Sequence, residues 1–363
     1  MDKNNYVVIM AGGVGERFWP MSKTSRPKQF IDILGTGHTL IQQTYDRFVK
    51  VCRPENIYVV TNKIYKDLVL EQLDEMAEEQ VVCEPARKNT APCIAYAAYK
   101  IYDLNPDARM VVAPSDHIIM KEDAFCDIIS LAMDAARDDK NFYTLGIKPS
   151  RPDTGYGYIQ YVAGSRYGQS DLLRKVKTFT EKPDEELAKS FLQSGDFLWN
   201  SGIFIWSCKA IIEAFEKFQP EISYVFQKGI GLYNTPDESP YIEKAYPSCK
   251  SISIDYAIME KAENVFVFIS DFGWSDLGTW GSLYEVRKKD ENNNAVMGAN
   301  VMMYDTNNCI VNVPEEKIVI LQGLDDYIVS ESDSALLICK KSQEQHIRKF
   351  VNDIKLFKGE EYV

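Results

Sequence analysis

The stretch from Val7 to Phe30, VVIMAGGVGERFWPMSKTSRPKQF, decides how the rest of the chain is read. Val7-Val8-Ile9-Met10 is a short apolar run of the kind that forms a parallel strand buried on both faces. Gly12, Gly13 and Gly15 follow at once. Without Cβ atoms, they let the backbone turn sharply and aim N–H groups at an anion. Arg17 and Lys28 add two cations, and Pro20 and Pro27 stiffen the segment between them. A strand that empties into such a loop reads as a phosphate cradle.

Two familiar cradles fail on spacing. A dinucleotide fingerprint beginning at Gly13 needs glycine or alanine where this chain has Phe18. A P-loop beginning at Gly12 needs glycine and then Lys-Ser/Thr, and the chain offers Arg17-Phe18-Trp19. The blander reading, a turn that only joins a strand to a helix, leaves Arg17 and Lys28 idle.

At 363 residues the chain can bury a large core and hold two domains. Its net charge of −12 argues against non-specific nucleic-acid binding, which needs a basic face. It leaves room for a nucleotide, because local cations can make one pocket positive. The eight cysteines stand singly with no CxxC pair, and only His38, His117 and His346 could join them, which disfavours a zinc site. They read as reduced thiols. MDKNNYVV lacks the apolar core of a signal peptide, and no window has the apolar length of a membrane span. The expectation is a cytoplasmic protein without membrane partners.

Outward from the loop, strand and helix patterns alternate. Ile57–Thr61, Val81–Cys83, Met110–Ala113 and Phe142–Leu145 read as strands, separated by amphipathic segments. Such alternation implies right-handed βαβ units and an α/β, Rossmann-like, mainly parallel sheet covered by helices. After Gly155 the pattern loosens. A polar run, Lys288 to Asn294, then separates residues 1–289, a catalytic domain, from residues 290–363. In the latter, short apolar segments at turn-punctuated spacing predict a small β domain with a terminal helix.

Several acidic and polar residues stand where chemistry is expected. Asp116 follows the Met110 strand in Pro114-Ser115-Asp116-His117, and ligands of open α/β sheets collect at that edge. Asp276 lies in Phe272-Gly273-Trp274-Ser275-Asp276-Leu277-Gly278-Thr279-Trp280, where it reads either as a metal ligand or as an N-cap. Glu181-Lys182-Pro183 is a solvated pair or a phosphate-binding one. Asn200-Ser201-Gly202 and Thr154-Gly155-Tyr156-Gly157 offer an amide and an unobstructed backbone. In Glu84-Pro85-Ala86-Arg87-Lys88-Asn89-Thr90, Asn89 or Thr90 can equally cap the helix that follows.

The Val7–Phe30 stretch resembles the signature of the sugar-nucleotide pyrophosphorylase family, and its PKQF ending is most similar to the mannose-1-phosphate guanylyltransferase branch. The other segments resemble that family's EKP, WSD-x-G-x-W and base-proximal motifs, so the resemblance runs from about Val7 to Trp280. It implies that Ala11, Gly12, Gly13 and Gly15 wrap a nucleoside triphosphate, with Arg17 and Lys28 on its phosphates. It implies Glu84, Asn89, Thr90 and Ser115 on the nucleotide, and Asp116 and Asp276 on Mg²⁺. Lys182 is implied to hold the phosphate of the sugar phosphate, and Gly157, Glu181 and Asn200 its sugar. The C-terminal region is implied to be a small β-helix that often contributes to subunit contacts, so a homodimer is expected.

The implied reaction is attack of mannose 1-phosphate on the α-phosphorus of GTP, giving GDP-mannose and pyrophosphate. Its nucleophile is already an anion, which suits a chain without an obvious catalytic His or Cys constellation. The competing readings are a pyrophosphorylase for another sugar or base and a silent sugar-nucleotide sensor on the same fold. A dinucleotide-dependent dehydrogenase is weakened by Phe18. A fused isomerase is disfavoured by how few residues follow Asn294.

Overall fold

The computed structural model describes residues 1–164, 170–333 and 335–363. They form two compact units, one of Met1–Gly12, Thr44–Ser115 and Ile119–Trp274, the other of Gly13–Gln43, Asp116–Ile118 and Ser275–Val363. The chain thus passes from one unit to the other inside the glycine loop, and again between Ser115 and Asp116.

The larger unit is built on a sheet of nine strands among the described residues. In chain order the nine are β1 (Asn5–Met10), β2 (Ile57–Asn62), β3 (Val81–Glu84), β4 (Arg109–Pro114), β6 (Phe142–Ile147), β7 (Gly157–Tyr161), β8 (Leu173–Glu181), β9 (Phe197–Ser207) and β10 (Val265–Ser270), with the two-residue β5 (Ile118–Ile119) lying outside the sheet. The sheet order is β3-β2-β1-β4-β9-β6-β10-β8-β7, with β7 also paired to β9. The block β3-β2-β1-β4 is parallel, as strand–helix alternation demands. Beyond it the sheet is mixed. β9 runs antiparallel to both β4 and β6, β10 runs parallel to β6, and β8 and β7 return antiparallel. The loosened alternation after Gly155 is the sequence trace of that change.

Val7, Val8 and Ile9 are fully buried, so β1 is covered on both faces. Val8, Val60 and Val112 share one cluster with the helices Thr90–Leu104 and Cys208–Phe218. Every residue from Ala91 to Ile101 of the first helix is buried, which accounts for its weakly amphipathic sequence. Each such aliphatic side chain contributes about 1.5–3 kcal/mol by leaving water.

The smaller unit carries β12 (Ala295–Met297), β13 (Val301–Tyr304), β14 (Ile310–Asn312), β15 (Val319–Gln322), β16 (Tyr327–Ser332) and β17 (Ala335–Lys340), after a two-residue β11 (Trp274–Ser275) at its boundary. β12, β14 and β16 stack in parallel, with Ala295 beside Ile310 and Ile310 beside Ile328. β13 and β15 stack likewise, and β17 closes the first stack antiparallel to β16. Successive residues alternate between two cores. Ala295, Ile310 and Ile328 join Phe18, Trp19, Ile33, Leu277, Trp280 and the terminal helix Ile347–Phe357. Val311 and Val329 pack instead with Cys309 and Leu321. The chain after Gly12 therefore shares its core with the C-terminal residues, and Trp19 Nε1 donates to the Tyr362 carbonyl at 2.8 Å.

Candidate active site

In the smaller unit the site is organised around Lys28. Gly15 sits at φ +73°, and a Cβ on it would stand 2.7 Å from Lys28 Cβ, so conformation and space both require glycine. The carbonyls of Gly13, Val14 and Gly15 accept from Gln29 Nε2 (2.9 Å), the Lys28 N–H (3.4 Å) and Ser22 Oγ (2.5 Å). The loop is thus clamped through its acceptors, the arrangement wanted if its N–H donors are to face an anion. Arg17 lies in the single turn Glu16–Phe18 that follows.

The Lys28 ammonium lies 2.7 Å from Asp116 Oδ2 and donates to the carbonyls of Asp276 (3.1 Å) and Leu277 (2.7 Å). It thereby brings the Asp116 and Asp276 segments together. Burial opposes the charge of the Asp116 carboxyl, and the Lys28 ammonium with His117 outweighs it, holding the group below the usual carboxylate range. Asp276 Oδ1 accepts the Gly278 N–H at 3.0 Å. The helix Trp280–Val286 is capped by Thr279, whose Oγ1 accepts from the Ser282 N–H at 3.2 Å, so capping does not fall to Asp276. Two carboxylates without a third suit a divalent cation whose remaining ligands come from phosphate. No group of three or more His, Cys, Asp or Glu is gathered among the described residues.

In the larger unit Ala11 bonds β2, donating to Val60 O (2.8 Å) and accepting from Thr61 Oγ1 (2.9 Å). A Cβ on Gly12 would lie 3.4 Å from Glu84 Oε2, so the loop passes close to that carboxylate. Glu84 is buried at the end of β3 with the Tyr246 hydroxyl on Oε1, and burial pushes its pKa up to about 7. Asn89 caps the helix Thr90–Leu104, its side chain accepting the Thr90 N–H at 2.8 Å. Thr90 Oγ1 accepts the Ile254 N–H at 2.9 Å. Ser115 is buried, its N–H on Met10 O (3.0 Å) and its carbonyl accepting from Thr44 Oγ1 (3.2 Å).

Gly157, Glu181 and Asn200 converge in the same unit. Gly157 pairs with Glu181 across β7 and β8, and a Cβ there would overlap Glu181 Oε2 and lie 3.4 Å from Asn200 Cβ. Lys182 has a left-handed backbone (φ 49°), and its ammonium pairs with Glu181 Oε1. Asn200 Oδ1 accepts from Thr144 Oγ1 (3.2 Å) and the Gly202 N–H (3.2 Å), while Nδ2 donates to Asp255 Oδ1 at 2.9 Å. Tyr156 packs edge-on to Trp199 and Trp274, and Arg151 lies over the Trp199 ring at 5.3 Å.

Asp255 is the residue that sequence reasoning missed. It opens a single π-helical turn, Asp255–Met259, a feature often found at functional sites. Burial, and then the nearby Glu181 charge, push its pKa up to about 6. The only trace in sequence is one acid inside the apolar run Ile254 to Met259.

Residues 6–293 match the nucleotidyl transferase family. The chain belongs to that family. Residues 299–354 match a second family, the MannoseP isomerase/GMP-like beta-helix domain. Over 98% of its length this nucleotidyl transferase is 35% identical to mannose-1-phosphate guanylyltransferase 2 of Escherichia coli O157:H7, covering 74% of that protein. It is also 35% identical, over 96% of its length, to the alginate biosynthesis protein AlgA of Pseudomonas aeruginosa, of which it covers 71%. The crystal structure of a mannose-1-phosphate geranyltransferase from Thermus thermophilus superposes with a TM-score of 0.85 at 28% identity, covering 97% of this chain and 99% of that one.

Proposed function

We propose that this nucleotidyl transferase transfers GMP from GTP to mannose 1-phosphate, releasing pyrophosphate. The observation that carries the reading is the pairing of one buried ammonium with both aspartate segments in the unit that also holds Gly13, Gly15 and Arg17. The names of the similar proteins from Escherichia coli and Thermus thermophilus support mannose 1-phosphate as the acceptor.

In the reaction an oxygen of the mannose 1-phosphate attacks the α-phosphorus of GTP, the bond from that phosphorus to the bridging oxygen breaks, and pyrophosphate carries the electron pair away. The nucleophile needs no proton removed, so the protein supplies alignment and charge. The amides of Gly12, Gly13 and Gly15 and the Arg17 guanidinium hold the triphosphate, while Ala11, whose N–H bonds the Val60 carbonyl, anchors the start of the loop to β2. Glu84, Asn89, Thr90 and Ser115 contact the nucleoside. Lys182 holds the acceptor phosphate, Glu181 and Asn200 its sugar hydroxyls, and Gly157 leaves them room. Asp116 and Asp276 would hold Mg²⁺, which would offset charge on the phosphate oxygens.

The same reading places the enzyme in the cytoplasm. No helix among the described residues is long and apolar enough to cross a membrane. It also includes a homodimer, for which the outward Met302, Tyr304, Ile318 and Ile320 on and beside β13 and β15 offer an apolar surface. Incubating the protein with Mg²⁺, mannose 1-phosphate and each nucleoside triphosphate in turn tests the function. GDP-mannose and pyrophosphate from GTP are expected. Preferred turnover of another base, or none at all, rejects it.

A further inference from the structure

β3 stands at one end of the nine-stranded sheet, paired with β2 alone among the described residues. A cleft of about 650 Å³, within the size range of ligand sites, lies beside it in the larger unit, against Val81, Val82, Cys83 and Pro85. Successive side chains of a strand point to opposite faces, so a cleft that touches three in a row follows the strand's open edge. One wall comes from the helix Lys66–Gln72 and the turn Glu78–Gln80, the other from the helices Thr90–Leu104 and Glu238–Ala245. Val81 and Val82 are buried, yet the outward N–H and C=O groups of β3 have no backbone partner among the described residues. An edge in that condition invites another strand.

Two polar side chains on the cleft are not used up by the protein. Lys100, 7% exposed, donates to Glu238 Oε2 at 2.6 Å and to no other acceptor among the described residues, so two of its three N–H donors are left over. Glu238 itself is satisfied, since it also accepts from the Tyr96 hydroxyl (2.6 Å) and the Asn234 N–H (2.7 Å). Tyr58, again 7% exposed, has no hydrogen-bond partner for its hydroxyl among the described residues, and burial pushes its pKa up to about 12, so it stays a neutral donor. Both groups call for an acceptor in the cleft. Each lysine on the cleft has its own glutamate, Lys63 with Glu243, Lys66 with Glu78 and Lys100 with Glu238, which leaves no cation to hold a phosphate or a carboxylate. The acceptor is therefore uncharged, as a peptide carbonyl is. The Lys63–Glu243 pair joins the two walls, but both ends are largely exposed and it yields readily to an incoming chain.

We propose that this cleft binds an extended, uncharged peptide segment, which adds a strand to the open edge of β3 and places a carbonyl oxygen on Lys100 and Tyr58. None of these three elements takes part in the proposed reaction. Short random peptides displayed on phage, selected on the intact chain against a bare support, are the probe. Enriched sequences should carry apolar residues at every second position and no run of acidic ones.

The synthetic peptides should protect the half-buried Cys83 from alkylation, read by mass spectrometry against the half-buried Cys126, which lies away from the cleft. They should also slow hydrogen exchange across residues 81–84. N-methylation of alternate peptide residues should cost about tenfold or more in one register and less than about twofold in the other, because only one register bonds the β3 edge. Lys100→Met should weaken binding about tenfold, and Tyr58→Phe, which removes a single oxygen, about threefold. If Lys100→Met does not fold, Tyr58→Phe and the N-methylated peptides decide. Absence of enrichment over the bare support overturns the proposal. So do selected peptides that leave Cys83 and residues 81–84 unchanged, an equal cost of N-methylation in both registers, or an affinity that Tyr58→Phe does not alter.

Discussion

Replacing Asp255 with asparagine should stabilise the protein near neutral pH and weaken its hold on the sugar phosphate. The Asp255 carboxyl has been pushed from 3.8 up to about 6 by burial and by the Glu181 carboxylate. Between those values the folded chain keeps a proton that the unfolded chain has released, so this group makes stability fall as pH rises. The gap corresponds to at most about 3 kcal/mol, fully expressed above the folded value and absent below the unfolded one. Asp255→Asn removes the charge and keeps an oxygen to accept from Asn200 Nδ2, now at 2.9 Å. Urea unfolding over a pH series should show the variant equal to wild type near about pH 4 and more stable by up to about 3 kcal/mol near about pH 7.5. On the functional side KM for mannose 1-phosphate should rise while KM for GTP holds. A variant less stable by the same amount at every pH would refute the reasoning, because the carboxylate would then not be a strained charge.

Three further changes separate the parts of the site. Gly157→Ala forces the Glu181 carboxylate aside and should raise KM for the sugar phosphate by about tenfold or more, with GTP affinity measured by calorimetry unchanged. Gly15→Ala faces both the φ of +73° and Lys28 Cβ at 2.7 Å, so it should cost about 1–3 kcal/mol in thermal unfolding and weaken GTP binding. Burial pushes the Glu84 pKa up to about 7, so if its carboxylate accepts from the guanine donors, GTP affinity should rise with pH through that value. Glu84→Gln should flatten that profile, and a wild-type profile already flat from about pH 6 to 8 would remove the role.

How much of this was open to sequence reasoning differs from residue to residue. The parallel block around β1 was legible, because buried parallel strands are written as continuous apolar runs. Asp116 and Asp276 could be paired only through the resemblance of their segments to the family's motifs, and the structure sets both segments around Lys28. The alternative for Asn89, a helix cap, is the contact its side chain makes. What was not legible is non-local. Nothing near Trp19 announces its bond to Tyr362, and so nothing announces that the segment after Gly12 belongs with the C-terminal residues. Asp255 carries no spacing signal, since its partners Asn200 and Glu181 come from distant strands. The contacts of Lys28 with protein oxygens likewise depend on three carbonyl and carboxylate positions that local pattern does not encode.

Isotopic labelling reads attack at the α-phosphorus directly. With mannose 1-phosphate and Mg²⁺ present, phosphorus label in the α-position of GTP should appear wholly in GDP-mannose, and label in the γ-position wholly in pyrophosphate. Label from the γ-position in a sugar phosphate or in inorganic phosphate, with pyrophosphatase excluded, would contradict it.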